Sequence, residues 1–450
     1  MKKSYYMLIA AMVTSSLLSG CLDNGSTADP PMGFTANAED GRVLLTWTGS
    51  PGVDYWLFTA TDPSLTAFNW TGLPNAHAYI KVATPFYMCG LYSGSQYYFA
   101  MNGRKDGGPG GPSSPTISAT PYNASANTWM PNLTSLIQNV YGLGYASLTT
   151  CANYPTSATG SFAAVGAGSA IFTSSDGKNW VDHTLASPIS TDLYAVTGYA
   201  ASLNNPNTLR WVAVGAGGAS VYSADGGTTW TAGNSSGLTL QPLRSLAQSA
   251  GTFVAVGDTG TILSSTDGTN WTSHTSASVT TNNLNGVTHG SIYVAVGNSG
   301  TILTSSDGAN WAAPTSWTPS LSFPALRKVA AFGNIIVAVG DSGTIVTSKD
   351  NGASWAAQSL GTMNLVGVTA ESHFVSNDIV DSWLGVVPSV QFVAVDGSGN
   401  TYITTSSATS TNGQTWIGAN NTNINPTNAL VSSGFGYVAA GNAGATAYAF

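Results

Sequence analysis

Charge is what this chain of 450 residues has least of, with 7% of its residues Asp, Glu, Lys or Arg against about 25% in ordinary globular domains. Acidic residues outnumber basic ones, leaving a formal net charge of −8, which excludes the basic footprint that a nucleic-acid partner requires. Ser, Thr, Asn and Gly must then supply most of the wetted surface. Histidine is sparse too: His183, His274, His289 and His373 stand far apart without metal-ligand spacing, so neither a metal nor another cofactor is expected. After residue 127 the glutamates reduce to Glu371 and the arginines to Arg210, Arg244 and Arg327. A glycosidase needs two facing carboxylates, and Glu371 has no evident partner. There is no Gly-x-Ser-x-Gly and no phosphate loop with a lysine. Long hydrophobic runs are missing as well. The apolar stretch at residues 7–18 is too short to span a bilayer as a helix.

That stretch has a different use. Lys2 and Lys3 precede it and Leu18-Ser19-Gly20-Cys21 closes it, the layout of an export signal. The closing residues resemble the lipobox of bacterial lipoproteins, which implies cleavage before Cys21 and acylation of its thiol. Several acyl chains on one residue meet the two-signal requirement for stable anchoring. Leu22 follows, so the aspartate that retains some lipoproteins in an inner membrane is absent. The resemblance implies an exported protein anchored to the cell envelope, at the outer membrane if the cell is Gram-negative. Residues 1–21 are then the signal and residues 22–29 a polar tether. With Cys21 acylated, Cys89 and Cys151 remain, one in each of two domains; in an oxidising compartment they could pair or stay apart.

What the chain has in abundance is glycine, 52 in all, the residue of tight turns. Short β-rich runs separate those turns, among them Val43 to Trp47, Tyr55 to Thr59, Tyr97 to Met101 and Thr116 to Thr120. This is the pattern of a sandwich. Trp47, Tyr55 and the run from Leu91 to Tyr97, with its leucine six residues before the tyrosine, resemble the fibronectin type III pattern over residues 30–121. Ser93 stands where that family usually has proline. The resemblance implies a spacer module.

From residue 127 to 450 the chain repeats itself every 40 to 60 residues or so, within the range of propellers and arrays. One copy runs from Phe253 through Val-Ala-Val-Gly and Thr-Ile-Leu to Ser265, Asp267 and Trp271. Its relatives end at Trp180, Trp230, Trp311, Trp355 and Trp416. A further strand, such as Leu243-Arg244-Ser245-Leu246 or Leu326-Arg327-Lys328-Val329, precedes each. Four strands per unit make a propeller blade. The fold class is all-β, a sandwich followed by a seven-bladed propeller, with six or eight blades left open. The seventh blade would join the C-terminal strands to a segment near Asn127-Thr128-Trp129, which removes open sheet edges.

The turns before the tryptophans resemble the Asp-box, centred on Asp176, Asp225, Asp267, Asp307 and Asp350, with Asn412 in the last copy. Carboxylate and serine hydroxyl can bond the turn amides, glycine takes the left-handed position, and the tryptophan packs into its blade. The resemblance implies a structural role on the propeller's rim, away from a central ligand face. Asp-box propellers include sialidases, but their arginine triad, Tyr/Glu pair and Arg-Ile-Pro motif are not met here. A closer resemblance, over residues 160–416, is to the photosystem II stability and assembly-factor propellers, which bind partner proteins with ring arginines. Arg244 and Arg327 are the positions that carry over, each following the leucine that opens an innermost strand. The expected protein is a monomeric, non-catalytic envelope lipoprotein whose propeller binds a protein or glycan. A glycan-active hydrolase of sialidase-like architecture and a purely structural surface protein stay open as alternatives.

Overall fold

The computed structural model describes residues 25–39, 42–89, 91, 94–121, 130–131, 138–146, 161–184, 189–200, 209–320, 322–373, 389–405, 415–422, 424, 426–432 and 437–449. They divide between two compact units. Among the described residues every regular element is a strand or a one-turn 3-10 helix.

The first unit is a two-sheet sandwich. Strands β2 (Met32–Glu39), β3 (Arg42–Thr48) and β6 (Phe86–Cys89) form one sheet, in that order. In the other, β4 (Val53–Ala60) lies between β5 (His77–Val82) and β7 (Tyr97–Lys105), and β7 also pairs with β8 (Ile117–Ala119). Strict alternation along β3 buries Val43, Leu45 and Trp47, and these meet Leu57, Phe99 and Met101 from the opposite sheet in a single core. The segment read as a tether takes part in the fold. Strand β1 (Ser26–Ala28) pairs with β7, Ser26 opposite Lys105. Its three residues carry no apolar alternation, so only the exposed ladder of β7 recruits them.

The second unit is a propeller of seven sheets. Blade 1 consists of Val140–Ala146, Ser161–Gly166, Ile171–Ser174 and Val181–Asp182. Blade 2 has Leu193–Ala200, Leu209–Gly215, Ser220–Ser223 and Thr231–Ala232; blade 3 has Leu243–Ser249, Thr252–Gly257, Ile262–Ser265 and Thr272–Ser273. In blade 4, Leu284–His289, Tyr293–Gly297 and Ile302–Ser305 are followed by a lone bridge between Thr304 and Ala312. Blade 5 comprises Leu326–Phe332, Ile335–Gly340, Thr344–Ser348 and Ala356–Ser359; blade 6 comprises Leu365–His373, Ser389–Asp396, Asn400–Thr405 and Thr415–Asn421. Blade 7 takes Thr427–Ser432, Tyr437–Gly441 and Thr446–Ala449 from the last part of the unit and its outermost strand, Met130–Pro131, from the segment just ahead of blade 1. The closing strand thus begins one residue beyond Trp129, the last residue of the segment expected to supply it. Each blade's first strand packs against the next, and the last packs against the first. The ring is closed.

Apolar side chains on both faces of each sheet form seven cores, one between every pair of neighbouring blades. The tryptophans extend one expectation. Each packs on its own blade, as Trp311 does on Tyr293, and at the same time fills the interface with the preceding one: Trp230 between blades 1 and 2, Trp271 between 2 and 3, Trp311 between 3 and 4. A single sheet has no interior, so a large ring can be buried only against a neighbour. The repeated Val-Ala-Val-Gly line also gains a reason. A Cβ on Gly257 would stand 2.1 Å from the Pro242 carbonyl oxygen, and one on Gly166 1.8 Å from that of Asn139. No side chain fits there.

Candidate functional site at the mouth of the channel

The first strands surround a central channel, and one end of it is built by a defect repeated seven times. In every blade the pairing of first and second strands slips by one residue, just after the residue that opens the strand. A β-bulge of this kind bends the strand and redirects the extra side chain. The bulged residues are Tyr141, Tyr194, Arg244, Asn285, Arg327, Val366 and Asn428, and all seven line one cavity of about 350 Å³. Arg244 and Arg327 are therefore both among the residues at this end of the channel. Arg210, on a second strand, instead donates to the Ala224 carbonyl at 2.6 Å.

Four of these residues reach the turn that joins the second and third strands of their own blade. Arg244 meets Asp258 through two hydrogen bonds, Nη2 to Oδ2 being 2.8 Å, and Arg327 meets Asp341 through Nε. In blades 4 and 7 the same connection is neutral, Asn285 to Asn298 at 3.0 Å and Asn428 to Asn442 at 2.8 Å. The Asp258 carboxylate, aided by its charge, raises the Arg244 pKa despite burial. Burial raises that of the Tyr194 phenol, whose ring lies 5.8 Å from that of Tyr141. Those turns are themselves tied between blades. Their left-handed residue donates its amide to a side chain ahead of another blade's first strand, as Gly168 does to Asp192 at 2.9 Å and Thr259 to Asn283 at 2.9 Å.

Lys328, one position past Arg327, is a residue that sequence reasoning missed. It lines both the outer cavity and a deeper one of about 130 Å³. Encircled by the strands, it keeps contact with solvent only along the channel. Burial, reinforced by the Arg244 charge, lowers its pKa.

The Asp-boxes lie elsewhere. They join third to fourth strands, and in an antiparallel blade that is the face opposite the mouth. In blade 2 the Ser223 hydroxyl donates to Asp225 at 2.8 Å and accepts the Gly227 amide at 2.9 Å. The Asp225 carboxylate accepts the amide and hydroxyl of Thr229 at 2.9 and 2.7 Å. The shorter boxes repeat this with asparagine, Asp307 accepting the Asn310 amide at 2.8 Å and its side chain at 2.7 Å. Asp176, Asp267 and Asp350 are held alike. Gly268 and Gly308 have φ of +77° and +76°. Each carboxylate is engaged by its own turn, and among the described residues no three His, Cys, Asp or Glu side chains are grouped to hold a metal.

Trp180, Trp355 and Trp416 occupy the matching interfaces at blades 1, 5 and 6. Glu371 lies on the first strand of blade 6 opposite Gln391, five residues or roughly 16 Å from Val366 along the strand, so it is not at the mouth. Cys89 ends β6, whereas Cys21, Cys151 and Asn412 lie outside the described residues.

A family model described as the DUF6242 beta propeller domain matches residues 201–325, a stretch that spans parts of blades 2 to 4. Among curated proteins none matches. Several solved propellers share the architecture. A structure of YCF48 bound to D1 peptide is 16% identical, with 72% of this chain and 97% of that chain covered and a TM-score of 0.50. The RRP9 WD40 repeats are 8% identical, covering 72% and 98%, with a TM-score of 0.50. A chain of the mitotic checkpoint complex is 11% identical, covering 73% and 92%, with a TM-score of 0.50. Equal scores at such different identities mean that the fold alone is shared.

Proposed function

We propose that this chain is an exported, lipid-anchored envelope protein whose propeller binds a partner at the mouth of its channel, without catalysis. One observation carries the reading: seven successive bulges bring two tyrosines, two arginines, two asparagines and a valine around a single opening. Aromatic and arginine side chains are what binding surfaces concentrate. Of the carboxylates at the rim, Asp258 and Asp341 are engaged by arginines and Asp192 by the Gly168 amide, and Glu371 is remote, which supports binding over hydrolysis. A protein is preferred to a glycan because a solved propeller of this architecture holds a peptide. The sandwich, with its buried Trp47 and its β2-β3-β6 and β5-β4-β7-β8 sheets, fits a fibronectin type III module serving as a stalk.

The test is retention of envelope proteins and glycans by the immobilised full chain and by its Arg244→Ala/Arg327→Ala/Tyr194→Ala variant. The ligand retained by the first should be lost from the second. Equal retention places binding elsewhere, and a retained glycan in place of a protein reverses the ligand class. Anchoring is tested separately by feeding cells a palmitate analogue, whose incorporation should vanish in Cys21→Ser.

A further inference from the structure

Directly below the mouth, the seven first strands place Gly142, Ala195, Ser245, Gly286, Gly367 and Ala429 at equivalent positions, each one past its bulge, and Lys328 at the seventh. Six small residues make a chamber and one long cation enters it. The residues lining it are otherwise largely apolar and include Leu143, Leu246 and Leu430.

The polar groups here are donors. Lys328 makes no ion pair or hydrogen bond among the described residues. Ser245 Oγ accepts the Val287 amide at 3.1 Å, which leaves its hydroxyl proton to give. Arg244 and Arg327 are already neutralised by Asp258 and Asp341, and Lys328 is the one charged side chain among the residues lining the deeper chamber, in a chain whose net charge is −8. A cation sheltered from water without a counter-charge is costly, and a bound anion would remove that cost.

We propose that the channel is a carboxylate site, the anion seated between the Lys328 ammonium and the Ser245 hydroxyl. A monoanion matches the single Lys328 charge, whereas a phosphate dianion would bring an unpaired negative charge into the chamber. The apolar lining suits a short alkyl group rather than further charge. The site rests on the mouth being the binding face, and it goes beyond that reading in naming the group that reaches inside. The carboxylate could belong to a free organic acid or to the end of a bound chain.

The experiment is calorimetric titration of the full chain with sodium acetate and sodium propionate, against sodium chloride at equal ionic strength and against inorganic phosphate. Saturable binding of the two carboxylates is expected. It should weaken at least about tenfold in Lys328→Met, the usual loss for a charged hydrogen bond, and persist in Lys328→Arg, which keeps the charge and reports on folding. An apolar tripeptide with a free carboxyl terminus is then compared with its amide. Tighter binding of the free form than of acetate assigns the group to a chain end, and binding no tighter than acetate assigns it to a free acid. No saturation by either carboxylate, unchanged affinity in Lys328→Met, or tighter binding of phosphate would overturn the site. Partner retention is a separate readout: if it survives while acetate fails, the carboxylate site alone is wrong, and if acetate binds while retention is lost, the reverse holds.

Discussion

Arg244 and Asp258 lie fourteen residues apart, at the two ends of blade 3's first hairpin, and their side chains lock together at the channel mouth. The pair closes the bulge that turned Arg244 inward. It fixes the direction of the guanidinium more than it stabilises the blade, because 42% of the arginine side chain stays exposed and water screens such pairs. A double-mutant cycle of Arg244→Ala and Asp258→Ala, followed by urea unfolding, should therefore give a coupling of no more than about 1 kcal/mol. Binding of the mouth ligand should fall far more in Arg244→Ala than stability does. Equal proportional losses would make the pair merely structural.

Ser223 should matter more to stability than any residue of the mouth. Its hydroxyl is buried and serves Asp225 and Gly227 together, while the turn it organises presses Gly227 against Thr173 of the previous blade. Ser223→Ala leaves the Gly227 amide without its acceptor, at a cost of about 1–3 kcal/mol. The urea midpoint should drop accordingly with the slope unchanged. A midpoint within error of the parent would mean that the box is decorative.

Acid should unfold the propeller through the same turns. The Asn310 amide and side chain hold the Asp307 carboxyl well below its usual range, and the Ser354 hydroxyl and amide lower that of Asp350. A carboxyl depressed in the folded state gives stability that is complete above its unfolded value, near 3.9. That stability is lost as pH falls through the lower folded value. Melting temperatures should be level from about pH 7 to 5 and then decline below about pH 4. Asp307→Asn combined with Asp350→Asn should flatten the decline; an undiminished slope would assign acid sensitivity to other groups.

Much of this was legible in the sequence because it repeats. Each Asp-box reports on its own turn, and six copies in register dictate the blades. What stayed hidden depends on how two strands meet. In a straight strand, residues following the opening leucine alternate between faces, so the rule that finds Arg327 passes over Lys328. The bulge overrides that alternation and sends successive residues to the channel. The first strand of blade 1, Val140–Ala146, is harder to read for a related reason: it opens with valine and alternates with glycines, whereas those of blades 3 and 5 open with leucine. The place of the tryptophans was equally out of reach, since a position within one repeat does not say which neighbour covers it.

Ring closure rests on very little chain, which makes it the sharpest point to attack. Met130 and Pro131 pair with Tyr448 and Ala447, and the Lys178 ammonium of blade 1 lies 4.5 Å from the centre of the Tyr448 ring. Without the added strand, Thr446–Ala449 becomes an edge with unpaired backbone groups, and the last blade loses its outer ladder. The remaining six blades keep their own four-stranded sheets or bridges and the cores between them. Deleting residues 130–131 should thus act locally at first. Amide exchange should accelerate across Thr446–Ala449 and the adjoining Tyr437–Gly441 while blades 3 to 5 keep their protection. Lys178→Ala removes a contact worth roughly 0.5–1 kcal/mol and should give a weaker form of the same pattern. Uniform acceleration in all blades would show that the ring opens as one cooperative unit, and unchanged exchange at Thr446–Ala449 would show that the Met130–Pro131 strand does not hold the circle shut.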